Sequence, residues 1–400
     1  MNDARAAIPL DRSARLRRWH PALAGLVALL IGIGFSRFGY TPLIPALIGA
    51  GWFDAGAAAY LGATNLAGYL LGAALARRLA ERVPASRLIK GAMVVGIASF
   101  LACALPWGFL WYAVWRLLSG VIGGILMVLA APTVLAATPA ARRGRVGGAI
   151  FTGVGLGIVG SGTLVPWLVR FGLSETWLCF AAVSAVLAAI AWGGVPPTAL
   201  PPPGAARPSG ARLSRPVLVL IVAYAFYGLG FAPYTVFWVD YIARGLGQGL
   251  AVGGSYWVVL GIGAALGPAL CALFADRIGF GASLRLALFV MGLGLALPLL
   301  STAPAPLGIS SFLGGVLGTG MTALASGRLA ELVAIDHQRQ IWGWITVAFS
   351  IVFAASGYLL SFLFDRSHSY GLVFAIGAGG LLLGALVDVA ATAGRPRGGA

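Results

Sequence analysis

Acidic residues are scarce in this sequence. Its 400 residues include 11 Asp and Glu against 27 Lys and Arg, and only 10% of the chain is charged. A soluble domain carries roughly 25% charged residues. Here 60% of residues are hydrophobic and the mean hydropathy is +0.93. No water-soluble fold could hide that much apolar surface, so the solvent is lipid. Cysteine and histidine are also few, at three each. Cys103, Cys179 and Cys271 lie in separate apolar runs with no CxxC, and read as small packing residues. His20, His337 and His368 fall at the ends of runs. An intramembrane enzyme would need His, Asp or Cys clustered at membrane depth, so neither catalysis nor a metal or other cofactor is expected. The sequence holds no P-loop, which argues against ATP-driven work by this chain alone. It also shows no cleavable leader, because the first apolar run is too long and has no small-residue cleavage site.

What is present is a series of long apolar runs. About 20 apolar residues cross the hydrocarbon of a bilayer as a helix. Twelve runs qualify: 21–48, 57–76, 88–105, 107–136, 146–169, 176–192, 217–241, 250–275, 282–300, 307–332, 341–364 and 370–389. They predict an all-α integral membrane protein. Strands are excluded, since lipid-exposed backbone must satisfy itself and these runs are too long for barrel strands. The net charge of +16 would suggest nucleic acid in a soluble chain, but these basic residues sit in short gaps between runs. With twelve spans, 22 of the 27 fall on the side of the termini, including Arg77, Arg142, Arg215 and Arg277. Only Arg170, Arg244 and Arg366 fall on the other side. This imbalance predicts cytoplasmic termini in a bacterial inner membrane.

Residues 194–216 form a Pro/Gly/Arg-rich stretch that cannot be a span. It divides the chain into a tail (1–20), a six-helix bundle (21–193), a linker (194–216), a second bundle (217–391) and a tail (392–400). The halves echo each other: Gly34, Tyr40 and Thr41 match Gly228, Tyr234 and Thr235 at an offset of 194. Six-span repeats are typical of transporters, with the site between the repeats near the midplane.

Four stretches carry a family resemblance. Ala272-Leu-Phe-Ala-Asp276-Arg277-Ile-Gly279 follows span 8, and Gly72-Ala-Ala-Leu-Ala76-Arg77-Arg78 closes span 2 with Ala76 in place of an acid. Arg116-Leu-Leu-Ser-Gly120-Val-Ile-Gly123-Gly124 lies in span 4, and Arg142-Arg143-Gly144-Arg145 follows it. Along its whole length the chain resembles the major facilitator superfamily. Gly32-Ile-Gly34-Phe35-Ser36-Arg37-Phe38-Gly39-Tyr40-Thr41-Pro42, with Asn65, Gly68, Tyr69 and Gly72, is similar to its YbfB/YjiJ-type branch. The resemblance implies a secondary transporter, expected to be monomeric, whose two pseudo-symmetric bundles rock around a midplane site. It also implies that Asp276, Arg277 and Gly279 form a conformational latch at the start of span 5. Gly72 and Arg77 would be its counterpart, lacking the acid.

Gly155-Leu-Gly157-Ile-Val-Gly160 fits a dinucleotide fingerprint, but it lies mid-span with no strand before it, and reads as close helix packing. Superfamily antiporters carry a Gly-Pro motif in span 5, and here no Pro lies among those glycines. Arg37 and Arg116 sit inside spans, about 5 and 8 Å past the midpoint towards the Arg-poor side at 1.5 Å per residue. An embedded Arg costs at least ~2.5 kcal/mol and faces a cavity or a partner. Either each Arg bonds carbonyls and holds its bundle together, or both present positive charge to a bound anion. No acid lies at depth in the first six spans, and Arg suits a carboxylate or phosphate fork. Span 7 adds Tyr224, Tyr227, Phe231, Tyr234 and Trp238 on one helix face. The expected substrate pathway therefore comprises Arg37, Tyr40, Asn65, Tyr69, Arg116, Tyr227 and Tyr234. The expected cargo is a small solute, an organic anion first. Export of amphiphilic compounds and a sensor on the same fold are the alternatives. A coupling proton would need a titratable group in the path; Asp240, Glu331 and Asp388 all lie at span ends.

Overall fold

The computed structural model describes residues 12–200 and 213–393. Among them are twelve helices long and apolar enough to cross a membrane. Spans 1 to 6 are Trp19–Gly49, Ala55–Ala80, Ala85–Cys103, Phe109–Ala136, Ala140–Leu168 and Leu173–Gly194. Spans 7 to 12 are Arg215–Val236, Gly249–Ile278, Phe280–Leu300, Pro304–Leu332, Ile335–Ser367 and Tyr370–Ala391. Each apolar run became one helix, because only a helix satisfies every backbone group within its own segment. Spans 1–6 pack chiefly on one another, as do spans 7–12. Parts of the tails and linker, residues 1–11, 201–212 and 394–400, lie outside the described residues.

Glycine sets the helix spacing. A Cβ on Gly68 or Gly72 of span 2 would strike the carbonyl oxygens of Leu117 or Val121 on span 4. In the second half, a Cβ on Gly263 or Gly267 would strike the carbonyls of Phe312 or Val316 on span 10. Backbones that touch this closely gain dispersion and weak Cα–H···O contacts that lipid cannot replace. These equivalent contacts repeat at a constant offset of 195 residues.

The two halves meet on the Arg-poor side. Span 8 lies against span 5 there: a Cβ on Gly261 would fall 2.7 Å from Val159 N, and one on Gly162 2.8 Å from Gly254 O. Span 11 lies against span 2, with Gly357 over Ala63 and Leu66. Thr41 Oγ1 donates to the carbonyl of its own counterpart, Thr235, at 2.5 Å, joining spans 1 and 7. Towards the Arg-rich side spans 5 and 8 part. A Cβ on Gly144 or Gly148 would meet nothing, and Ala269 and Asp276 are exposed. The Arg-rich half of span 1 packs on spans 4, 5 and 6 of its own bundle. The halves are thus in contact on the Arg-poor face, while on the Arg-rich face spans 5 and 8 part and Arg77 of span 2 still reaches Gly343 of span 11.

Candidate functional site

Span 1 is not a regular helix. Leu30–Phe38 is a π-helical segment, and it contains Gly32, Gly34 and Arg37. Such wide turns are uncommon and cluster at functional positions. The Ser36 carbonyl within it accepts a hydrogen bond from Arg116 Nη1 at 2.6 Å. Arg116 is wholly buried and reaches Ser119 Oγ at 3.4 Å, with its Cζ 4.1 Å from the Tyr40 ring centroid. Asn65 Nδ2 closes the node, bonding Ser119 Oγ at 2.8 Å and the Arg116 carbonyl at 3.1 Å. The Tyr40 hydroxyl donates to the Ala58 carbonyl at 3.1 Å. Arg116, Asn65 and Tyr40 thus bind spans 1, 2 and 4 together. Of the two readings of Arg116, the geometry matches the one in which it holds its bundle.

Arg37 is placed differently. It points to where the halves meet, and its Cζ lies 4.3 Å from the ring centroid of Phe353 on span 11. Tyr69 of span 2 lies at 5.2 Å and Phe38 at 5.0 Å. Among the described residues no hydrogen-bond acceptor meets its guanidinium, and Nε is sealed from solvent. The side chain as a whole is only half-buried, so its terminal nitrogens keep access. Aromatic faces are worth roughly 0.5–2 kcal/mol each to a cation. They offset the charge but take no N–H edge, and a guanidinium has five N–H donors. Beside it, the Tyr69 hydroxyl also has no partner among the described residues.

The span 7 stripe is buried along its whole length. Tyr227 stacks on Phe349 of span 11 at 5.2 Å, and Phe231 stacks on Phe353 at 6.1 Å. Tyr224 lies 5.1 Å from Phe349 and 6.0 Å from Trp342, nearer the Arg-rich face. A ladder of rings therefore runs from Trp342 to Arg37. Its hydroxyls are engaged: Tyr224 with Thr322 Oγ1 at 3.0 Å and Tyr227 with the Gly318 carbonyl. Tyr234 bonds Ser310 Oγ at 2.9 Å inside the second bundle, away from the Arg37 cage. Arg37, Tyr69 and Tyr227 are the expected pathway residues that gather at the ladder.

The expected latch needs a change of register. Gly279, at φ 82°, ends span 8, and Asp276 and Arg277 are exposed beside it. At the observed offset of 195, the counterpart of Asp276 is Glu81, followed by Arg82 as Asp276 is by Arg277. Ala76 is instead the counterpart of Cys271, and both are buried in their bundles. Gly72 belongs to the span 2–span 4 contact, and Arg77 reaches Gly343 at the start of span 11. The acid expected on one side only is present on both. Of the acids at span ends, Asp240 is buried and held by Tyr370 at 2.5 Å and Arg244 at 3.2 Å.

Comparison with known proteins agrees with this architecture. Residues 29–389 match the family described as "Uncharacterised MFS-type transporter YbfB". The chain belongs to this family of MFS-type transporters. It is thus a multi-pass membrane protein and a transporter. No curated relative matches it in sequence. Among solved structures it is similar in fold to a D-xylose-proton symporter, with TM-score 0.70, 15% identity, and 92% of this chain and 96% of that one covered. A mutant of the nucleoside transporter NupG gives TM-score 0.70 at 13% identity, covering 92% and 99%. The inward-open xylose transporter XylE from E. coli gives the same TM-score and identity, covering 92% and 95%. Sequence reasoning missed Phe349 and Phe353, the span 11 rings of this MFS transporter's ladder. Their spacing of four, facing one side of a helix, was the signal available.

Proposed function

We propose that this transporter carries a small organic anion across the bacterial inner membrane by alternating access, with Arg37 as the anion-binding group. The observation that carries this reading is the Arg37 guanidinium, which lies between the two halves with no acceptor among the described residues. A buried charge is normally paired, and an anion entering from the parted face would pair it. The Arg-rich face is then cytoplasmic, and the structure corresponds to the state open to the cytoplasm. Export of amphiphiles is less well supported, because the span 7 rings are packed against span 11 and their hydroxyls are engaged.

Counterflow in proteoliposomes tests the reading, using a panel of carboxylates, sugars, nucleosides and cationic dyes. Exchange of carboxylates alone is expected. Exchange of a sugar or a cationic dye with no carboxylate flux would refute it.

In the same reading, Asp276 and Glu81 close the cytoplasmic side by meeting the positive helix starts of spans 5 and 11. An acid near a helix N-terminus contributes about 0.3–2 kcal/mol. Asp276→Asn and Glu81→Gln should therefore each raise thiol labelling of cytoplasmic-side cysteines, by comparable amounts. An effect from Asp276→Asn alone would restore the one-sided latch.

A further inference from the structure

A groove of about 520 Å³ lies away from the ring ladder, at the Arg-rich end of the first bundle. It runs between Trp19, His20, Leu23 and Leu26 of span 1, Ala149 of span 5 and Ile190 of span 6. Its walls are mainly apolar. His20 Nε2 donates to the Ile190 carbonyl at 3.0 Å, tying span 1 to span 6. Span 6 is drawn in further at Gly194, where a Cβ would strike the His20 carbonyl. Span 5 offers only the Ala149 methyl, and there the gap stays open. The second bundle differs at this place. Gly162 and Gly357, the glycines of the two seams, lie 195 residues apart, and at that offset the counterpart of Ala149 is Trp344. The counterpart of Arg145 is Gln340. The first bundle thus has a methyl where the second has an indole, and a cation where the second has an amide. Arg145 stands four residues before Ala149, one turn nearer the Arg-rich end on the same helix face. Arg142, Arg143 and Arg145 are exposed and form no ion pair among the described residues. Trp19 is half-exposed, as Trp at a membrane interface is, and Arg17 and Arg18 immediately precede it in sequence. An apolar slot under unpaired guanidinium groups matches a phospholipid of negative charge, whose phosphate takes an Arg fork. The chain's own residues 1–18 are a poorer occupant, because their five Arg against two Asp would meet a mouth of like charge.

We infer that this groove binds one anionic phospholipid of the leaflet on the Arg-rich side, with an acyl chain between spans 1, 5 and 6 and the phosphate on Arg145. The site is separate from Arg37 and does not depend on the cargo. Full-length protein would be released into detergent from bilayers holding phosphatidylglycerol and phosphatidylcholine in equal amounts, with identical acyl chains. Native mass spectrometry would then count the lipids that stay bound. The unaltered protein should keep one phosphatidylglycerol in preference to phosphatidylcholine. Ala149→Trp, which copies the second bundle, fills the slot and should lose that lipid. If Ala149→Trp does not yield folded protein, Leu23→Trp fills the same slot from span 1. Arg145→Gln changes an exposed side chain and should lower the preference about fivefold, the effect of one Arg near an anionic surface. Equal retention of the two lipids by the unaltered protein, or retention of neither, would overturn the assignment. So would an unchanged preference in Arg145→Gln. Phosphatidylglycerol kept by the folded slot-filling variant would place the lipid elsewhere and overturn it as well.

Discussion

Replacing Arg37 by Gln should give a folded protein that no longer carries anions, whereas replacing Arg116 by Gln should deplete the folded protein itself. The two arginines look alike in sequence, each alone in an apolar span. Their surroundings separate them. Arg116 joins span 4 to the Ser36 carbonyl of span 1 and to Ser119, with Tyr40 over its face. Hydrogen bonds to charged groups contribute roughly 1.5–3 kcal/mol each, and the stranded acceptors add to the loss. Arg37 makes no hydrogen bond among the described residues, so Gln there strands nothing. Losing one partner of a buried charge pair with a ligand costs about 2–5 kcal/mol, at least about 30-fold in affinity. Arg37→Lys should recover only part of this, because an ammonium cannot fork. Thermal melting in detergent reads the first effect and counterflow the second. Normal counterflow in Arg37→Gln would remove Arg37 from the pathway.

Gly261→Leu should wedge the Arg-poor face open and stop transport. A Cβ on Gly261 already falls 2.7 Å from Val159 N and 2.8 Å from its Cγ2, so a larger side chain cannot be seated while spans 5 and 8 touch. Gly254 is in the same position, facing Pro166 Cγ at 2.7 Å. Overpacking costs about 1–3 kcal/mol, and under the proposed alternating access the strain falls on one of the two states. That shifts the balance by about 5- to 150-fold towards the state open on the Arg-poor side. Distances between spin labels on the Arg-poor ends of spans 5 and 8 should lengthen in the variant. An unchanged distance with unimpaired counterflow would mean that this seam does not close the face.

The twelve spans were legible because lipid leaves so little choice. A run of about 20 apolar residues between arginines has no other stable form. The helix ends shifted by a few residues, and span 7 stops at Val236, where Phe237 interrupts it before Trp238–Asp240. Arg37 and Tyr69 were legible as polar groups at an apolar depth. The separation of Arg37 from Arg116 was not, because it depends on a π-helical turn that aims the Ser36 carbonyl at one of them. The latch was misaligned for a countable reason. Spans 1 and 7 repeat at 194 residues, but spans 2 and 4 repeat in 8 and 10 at 195. Pairing Ala76 with Asp276 instead takes an offset of 200, five residues out of that register, and it is the Arg77–Arg277 match that suggests it. Phe349 and Phe353 escaped because a ring ladder between spans 7 and 11 is a tertiary fact, with half its members 120 residues away.

The most direct test pairs a change in the ligand with a change in the protein. Affinities of a carboxylate and of its same-shaped carboxamide are measured on the unaltered protein and on Arg37→Gln. Comparing the four values isolates the interaction between the guanidinium and the ligand's charge. The account predicts that the unaltered protein prefers the carboxylate by about 30-fold or more, and that Arg37→Gln binds both alike. The same preference in both proteins would contradict it, placing the anion elsewhere than on Arg37.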